Sequence, residues 1–249
     1  MSRMKNSPNL SFEFYRSENF GKAIEKAPFD LGLSDLLKVP DVMTFSLKTI
    51  YPGLVIGSGY AHGKMDKSDT EAYQLGFYFD HTSGMPVIPG SSVKGTLRSV
   101  FPSYNESQES FRKKTDKDSL HQYIEFHLEK KLSHVQMSAF ERSIFKYGDV
   151  FYDAFVSSVD SHLLASDYIT PHKNLKGESS LDEFVDPIPV KFLKISPGVT
   201  FTFQFRLQPF ASEGIEISVE DKLSLFKAIL LDIGVGAKTN VGYGKLIQG

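Results

Sequence analysis

Apolar and polar positions alternate with a period of two in two segments of the chain, VMTFSLKTI at residues 42–50 and TFTFQFRLQ at residues 200–208. This period is typical of β-strands with one buried face. The apolar run DVFYDAFVSSV at residues 149–159 is a third strand candidate. Strands near residues 75–79 and 86–88 are expected to form a hairpin around Ser83-Gly84.

Helical spacing of apolar residues appears in several other segments. Residues 91–101 predict a helix after Pro89-Gly90, and SAFERSIFKY predicts another. In EDKLSLFKAILLDIGV one helical stripe carries the following residues: Leu223, Phe226, Ile229, Leu230 and Ile233. Residues 1–40 contain FGKAIEKA and LSDLLKV and predict a helical N-terminal extension that ends near Pro40.

Residues at about 102–134 differ from these segments, because they are polar, mixed in charge and only weakly periodic. They predict a surface insertion that orders on a partner. Without it, the order of elements is strand, helix, strand, strand, helix, short strand. This β-α-β-β-α-β order predicts an α+β fold with a ferredoxin-like, RNA-recognition-like core, carrying glycine-rich loops and insertions in a single domain over residues 41–249. The fold alone does not define a function.

Composition narrows the class of protein. The 249 residues include no Cys, which excludes disulfides, thiolate zinc sites and cysteine nucleophiles. No apolar stretch approaches the ~20 residues of a membrane span, and the polar N-terminal segment does not resemble a signal peptide. A soluble cytoplasmic protein is therefore expected. The net charge of −2 provides no global attraction for nucleic acid but permits a local basic groove.

The segment GMPVIPGSSVKGTLRSVF predicts a helix that begins with small polar residues. Ser91 or Ser92 is a favourable N-cap, and the first helical amides carry the positive end of the dipole. Lys94 and Arg98 project from one helix face, and Gly90 allows a ligand close to the backbone. A bound phosphate explains this pattern, and so does an ordinary capped helix with two solvated cations.

The same segment also satisfies the S-x-x-K pattern of penicillin-binding proteins and related lactamases, in which the serine is acylated. Both companion motifs are incomplete in this chain. Ser-Asp-Tyr at 166–168 stands where the pattern has Ser-Asp-Asn, and Lys-Thr-Asn at 238–240 where it has Lys-Thr-Gly. A serine hydrolase is therefore a remote alternative.

The C-terminal stretch GVGAKTNVGYGK is a second glycine-rich segment. A P-loop at this position requires glycines where the chain has Asp232 and Ala237, and it precedes a helix instead of following one, so an ATPase is excluded. The remaining prediction is a flexible loop around Lys238 whose successive amides meet an anion. A helix C-cap accounts for Gly234 but not for the whole run.

The two stretches together resemble the RAMP superfamily, the RNA-binding subunits of type III CRISPR effector complexes. HTSGMPVIPGSSVKGTLRS is similar to the segment that leads into the family's first helix, and DIGVGAKTNVGYGKL is similar to its C-terminal loop. GAKTNVGYG is most similar to the subunit that ends the filament of type III-B (Cmr) complexes. DVFYDAFV, YITPHK and DPIPVKFLKI also resemble stretches of that subunit.

The resemblance implies a non-catalytic subunit, active in antiviral defence, that grips the backbone of the guide RNA (crRNA) toward its 3′ end. The implied protein partners are other Cmr RAMP subunits and the small helical subunit of the complex, and target RNA is contacted indirectly. Two segments, expected to converge on one face, carry the implied RNA-binding residues: Gly90, Ser91, Ser92, Lys94, Arg98, Lys238, Thr239, Asn240, Gly242 and Tyr243. The chain lacks the aromatic R-G-F-x-F-type pattern of RNA-recognition modules, so backbone capture is expected to dominate.

A metal-independent endoribonuclease is the alternative from a different class, because some RAMP proteins cut RNA. None of the seven His residues forms H-E-x-x-H or has metal-ligand spacing, so no metal or cofactor is predicted. His62, Asp66 and His81 lie nearest the expected groove, and His62 or His81 would serve such an enzyme.

Overall fold

A computed structural model describes residues 9–11, 41–57, 74–102, 117–169 and 190–249. The strands are β1 Met43–Thr49, β2 Gln74–Leu75, β3 Tyr78–Phe79, β4 Pro86–Ile88, β5 Val150–Phe151, β6 Ala154–Val159, β7 Leu164–Ile169, β8 Val190–Ile195, β9 Val199–Arg206, β10 Phe210–Ser212, β11 Ile215–Ile217 and β12 Leu246–Gln248. The helices are α1 Gly90–Ser99, α2 Lys117–Leu128, α3 His134–Arg142 and α4 Val219–Ile233, with a π-helical turn Ser143–Tyr147 and a 3-10 turn Thr239–Val241.

The main sheet has the strand order β12-β1-β9-β6-β4-β3, and β5 also pairs with β9. Every neighbouring pair in it is antiparallel. A smaller sheet has the order β2-β8-β7, in which β2 is parallel and β7 antiparallel to β8. Strands β10 and β11 form a hairpin. The fold is thus a mixture of helices and predominantly antiparallel sheets.

The hydrophobic core lies between the main sheet and the helices. Alternate residues Phe201, Phe203 and Phe205 of β9 are almost completely buried, and Phe205 packs on Phe226 of α4 with ring centroids 5.5 Å apart. Helix α4 begins with a capping box, in which the Ser218 hydroxyl accepts the amide of residue 221. The apolar stripe of α4 therefore lies against the phenylalanine face of β9.

Several predicted elements are confirmed, notably β1, β9, α1 and α4. Two differences concern strands. The predicted strand at 149–159 is divided into β5 and β6 at Tyr152 and Asp153, where regular pairing is interrupted although the Tyr152 amide still donates to the Gln204 carbonyl of β9. The smaller sheet was not predicted, since a segment such as LASDYI has no clear apolar alternation.

The interpretation of residues 102–134 as a surface insertion is wrong for its second half. Residues 117–128 form helix α2, which buries Ile124 and Leu128 in the common core. Glu125 stabilises the turn that follows. Its carboxylate accepts a hydrogen bond from the Leu132 amide at 2.8 Å and forms an ion pair with Lys131 at 2.7 Å. Charged residues thus make the turn between two packed helices. Residues 103–116 lie outside the described part of the chain.

Most of the predicted N-terminal extension also lies outside the described residues. Within residues 9–11, Leu10 is 1% exposed and belongs to the core, and the Ser11 amide donates to the Gly84 carbonyl at 3.1 Å. This part of the extension therefore packs on the domain. Among the helices of the described residues, none has the length and apolar character needed to cross a bilayer.

Candidate nucleic-acid interface

The start of helix α1 is occupied by a carboxylate of the protein itself. The Gly90 amide donates to Asp153 Oδ1 at 2.7 Å, and the amides of Ser92 and Val93 donate to the Pro89 carbonyl. Pro89 holds the N-cap position and neither Ser91 nor Ser92 does, so the expectation of a serine cap is wrong. Asp153 already neutralises the positive end of the helix, where a phosphate was expected.

The glycine at position 90 is explained by packing. A Cβ atom there would lie 2.2 Å from the Phe151 carbonyl oxygen, which no side chain could tolerate. Helix α1 therefore sits directly against the backbone between β5 and β6. The close approach that was assigned to a ligand is made by the protein's own chain.

The two cations of α1 have partners within the protein. Lys94 Nζ lies 5.7 Å from the centroid of the Phe151 ring, in cation–π geometry. Arg98 Nε forms an ion pair with Glu141 Oε1 at 3.1 Å, and the Glu141 side chain is only 16% exposed. Among the predicted residues of this helix, the Ser91 side chain is exposed and Ser92 is half-buried.

Backbone hydrogen bonds join the base of the glycine-rich loop after α4 to neighbouring segments, where the sequence predicts a flexible loop. Val235 and Gly244 form a hydrogen bond across the base of the loop, Ala237 donates to Val55, and Gly244 donates to Gly53. Added Cβ atoms at Gly234, Gly236 and Gly244 would lie 1.9–2.4 Å from carbonyl oxygens. Glycine is required at these positions because two chain segments pack together without room for a side chain.

The tip of this loop projects Lys238 and Asn240 into solvent. Lys238 adopts the left-handed conformation with φ 59°, the 3-10 turn follows, and Gly242 ends it with φ 96°. Lys238 and Asn240 are exposed, whereas Thr239 is half-buried. Lys238 Nζ lies 6.0 Å from the centroid of the Phe192 ring on β8. The loop thus presents a cation and an amide to solvent, and the cation lies over the buried Phe192 ring.

Tyr243 links the loop to the smaller sheet. Its hydroxyl donates to Asp167 Oδ2 at 2.5 Å, and the same oxygen accepts from Lys194 Nζ at 2.5 Å. Burial by itself would raise the pKa of Asp167, but these hydrogen bonds and the Lys194 charge outweigh it and lower the pKa. Burial and the hydrogen bond to Asp167 raise the pKa of Tyr243, so the phenol stays protonated.

The two predicted segments do not converge. The start of α1 contacts Phe151, which pairs with Phe205 at the Met43 end of β1, whereas the loop leads into β12 at the Thr49 end. Six residue steps along β1 at about 3.3 Å each separate these ends by about 20 Å. The prediction of one shared cradle is wrong, and the contact of each segment with RNA stays a prediction.

The catalytic alternatives have no assembled site among the residues that the structure describes. The S-x-x-K segment and its incomplete companion motifs are far apart. Lys94 lies near Phe151 at one end of the main sheet, whereas Asp167 and Lys238 lie near the loop at the other end. His81 is exposed in a turn, and His62 and Asp66 fall outside the described ranges. No group of three or more His, Asp or Glu suited to a metal occurs in the described part.

Sequence reasoning missed Asp153, and it noted Asp167 only as part of a failed motif. Each is a charged residue inside a strand-like segment, DVFYDAFV or LASDYI. An acidic residue in such a segment signals a specific partner, since unpaired burial is costly. Asp153 pairs with Gly90 and Asp167 pairs with Tyr243. The sequence could not reveal these pairs, because the partners are far apart along the chain.

The class of protein follows from this fold and from the pattern of the chain. The sequence profile of the RAMP superfamily matches residues 46–247 of this chain. The chain therefore belongs to the RAMP superfamily, which confirms the family expected from the two glycine-rich stretches.

The resemblance extends to one kind of subunit within the superfamily. The chain is 26% identical over 255 residues to the CRISPR system Cmr subunit Cmr6 of Pyrococcus furiosus, covering 86% of this chain and 70% of that protein. It is 28% identical over 172 residues to the Cmr6 of Saccharolobus solfataricus, covering 69% of this chain but only 48% of that protein.

A solved structure agrees with these relatives. A chain of the type III-B Cmr-beta complex bound to cognate target RNA superposes with a TM-score of 0.53 at 26% identity. The match covers 82% of this chain and 57% of that chain, so this chain spans little more than half of its structural neighbour.

Proposed function

We propose that this chain is a non-catalytic, RNA-binding subunit of a type III-B CRISPR ribonucleoprotein complex, active in antiviral defence. It is similar to Cmr6 proteins, and its structural neighbour comes from a Cmr complex bound to target RNA. In this proposal the chain ends the protein filament and grips the guide RNA toward its 3′ end. Its partners are the other Cmr RAMP subunits and the small helical subunit, and it meets target RNA indirectly.

The observation that carries the RNA-binding proposal is the anchored loop with its exposed Lys238 and Asn240. A cation on a rigid base attracts a phosphate with little ordering cost, and the half-buried Thr239, Gly242 and Tyr243 hold that geometry. In this proposal the start of helix α1 forms a second, weaker contact with the RNA, through the following residues: Gly90, Ser91, Ser92, Lys94 and Arg98. Their cations already face Phe151 and Glu141, so Ser91 is the side chain most open to RNA.

We also propose that four strands of the main sheet and the packed helices form a ferredoxin-like core. In chain order β1, β6, β9 and β12 are the first to fourth strands, and they pair in the order fourth, first, third, second. Two interleaved β-α-β units produce this antiparallel order. Strands β3, β4 and the smaller sheet are then additions to the core.

The test measures guide-RNA affinity of the reconstituted complex at several salt concentrations. Lys238→Ala is expected to weaken binding and to reduce the slope of log K against log salt by about 0.7, the contribution of one phosphate contact on a single strand. Lys146→Ala is the matched control, because Lys146 is also exposed but lies at the opposite end of the sheet. If Lys238→Ala and Lys146→Ala both bind like the parent, the loop is not an RNA contact.

The non-catalytic role has its own test. Purified chain incubated with repeat-containing RNA in EDTA is expected to leave the RNA intact. Cleavage that is lost in His81→Ala would replace the proposal with the endoribonuclease alternative. Co-purification of the chain with Cmr subunits and guide RNA tests its place in the complex.

A further inference from the structure

Beside the loop tip stands an aromatic side chain that the folded domain leaves almost entirely in water. Tyr51, two residues after the end of β1, is 84% exposed. Its backbone is held in place, since the Gly53 amide donates to the Ile50 carbonyl at 2.7 Å and the Gly53 carbonyl accepts the Gly244 amide. The ring is therefore presented from a fixed turn, without the burial that most tyrosines gain.

Tyr51 belongs to the same surface as the loop. The Pro52 side chain lies 3.4 Å from the position of a Cβ on Gly242, so residues 51–53 run alongside residues 242–244. Tyr51 is also close enough to contribute to the raised pKa of Tyr243. The Tyr243 and Phe192 ring centroids are 6.3 Å apart, and Lys238 lies over Phe192.

This surface combines the exposed Tyr51 ring, the half-buried Tyr243 ring and the Lys238 cation, while the Phe192 ring beneath the cation is itself buried. Single-stranded nucleic acids bind to such combinations, because bases stack on aromatic faces while cations follow the phosphates. A protein partner would also cover an exposed tyrosine, but Lys238 and Asn240 are exposed on the loop that residues 51–53 contact, which favours a phosphate-bearing ligand.

We infer that Tyr51 is a stacking platform for a nucleobase of single-stranded RNA whose phosphate lies at Lys238. The inference rests on the proposed function and adds a base contact to the backbone capture that the sequence predicts to dominate. Stacking is tolerant of sequence because every base has an aromatic face, so the site grips a guide strand of any sequence.

The experiment compares two RNA probes on the reconstituted complex, a 12-nucleotide oligouridine and an abasic ribose-phosphate strand of the same length. Tyr51→Ala is expected to lower affinity for oligouridine about tenfold and to leave affinity for the abasic strand unchanged. Tyr51→Phe keeps the ring and is expected to bind both like the parent. Lys238→Ala is expected to weaken both probes, because it removes a phosphate contact.

The outcomes separate the inference from the proposed function. Equal weakening of both probes by Tyr51→Ala overturns the inference, since the ring then acts only through the shape of the loop. No effect of Tyr51→Ala together with loss in Lys238→Ala overturns stacking but supports the RNA-binding loop. No binding by the parent, or no effect of either variant, overturns both. If the complex that contains Tyr51→Ala loses a neighbouring subunit while its RNA affinity is unchanged, Tyr51 lies in a protein–protein interface and the inference is overturned.

Discussion

Asp167 is the residue that joins the glycine-rich loop to the smaller sheet. One of its oxygens accepts from both Lys194 and Tyr243, while the other accepts the Tyr168 amide at 2.8 Å. The Lys194 side chain is only 10% exposed and depends on this carboxylate for its counter-charge. The position of Tyr243, and with it the loop tip, thus depends on one ionised group.

Asp167→Asn is expected to lower the free energy of unfolding by about 2 kcal/mol at pH 7, because it leaves the Lys194 charge without a carboxylate. The folded-state pKa of Asp167 is lowered, so its stabilisation is complete above the ordinary value of about 4 and is lost as pH falls through the folded-state pKa. Urea denaturation at pH 7 and pH 3 measures the difference between parent and variant.

That difference is expected to shrink at pH 3, because the unfolded chain binds a proton at Asp167 below the ordinary pKa of about 4 and the stabilisation of the folded parent then decreases. Tyr243→Phe is the control, since it removes one hydrogen bond and keeps the ion pair, and its cost is expected to be about 1 kcal/mol. A difference between parent and Asp167→Asn that is the same at both pH values would contradict this account.

At the scale of elements, helix α1 contains two glycines with opposite roles. Gly90 is buried against the Phe151 carbonyl, whereas Gly95 is exposed and a Cβ added there would have no atom within 4 Å. The sequence alone does not distinguish them, because both are glycines in a helical segment. Their difference arises from what packs against each turn of the helix.

Gly95→Ala is expected to raise the free energy of unfolding by about 0.5–1 kcal/mol, because alanine loses less backbone entropy in a helix. Gly90→Ala is the matched opposite and is expected to destabilise the domain strongly, since its Cβ would lie 2.2 Å from a backbone oxygen. Both are measured by chemical denaturation. Destabilisation by Gly95→Ala would mean that the outer face of α1 is covered in the folded chain.

At the scale of the whole molecule, residues far apart in sequence form one core. Leu10 is 1% exposed, and Asn9 lies where a Cβ on Gly84 would be placed. Helix α2, expected to be peripheral, buries Ile124 completely in the same cluster. Residues 9–11 and the second half of the predicted insertion are therefore structural parts of the domain.

Leu10→Ala is expected to cost about 2–4 kcal/mol of unfolding free energy, the loss typical of a truncated core leucine. The control is Val135→Ala, because Val135 is 71% exposed and its truncation is expected to change stability by less than about 0.5 kcal/mol. Denaturation midpoints measure both variants. Equal midpoints for the parent and Leu10→Ala would contradict a stabilising role of Leu10 in the core.

The sequence by itself determined the local elements and the family. Alternation predicts β1 and β9, helical spacing predicts α1 and α4, and the two glycine-rich stretches indicate a RAMP chain, because these signals lie within short segments. It could not show that the start of α1 and the loop lie at opposite ends of β1, since strand register is a long-range property.

Only the tertiary structure decided which charges are exposed. Lys94, Arg98 and Lys238 look alike in sequence, yet the first two are half-buried beside Phe151 and Glu141, whereas Lys238 is exposed above Phe192. Asp153 and Asp167 likewise acquire their partners from distant segments. The physical reason is that the energy of a charge depends on the groups folded around it, and neighbours in sequence do not reveal those groups.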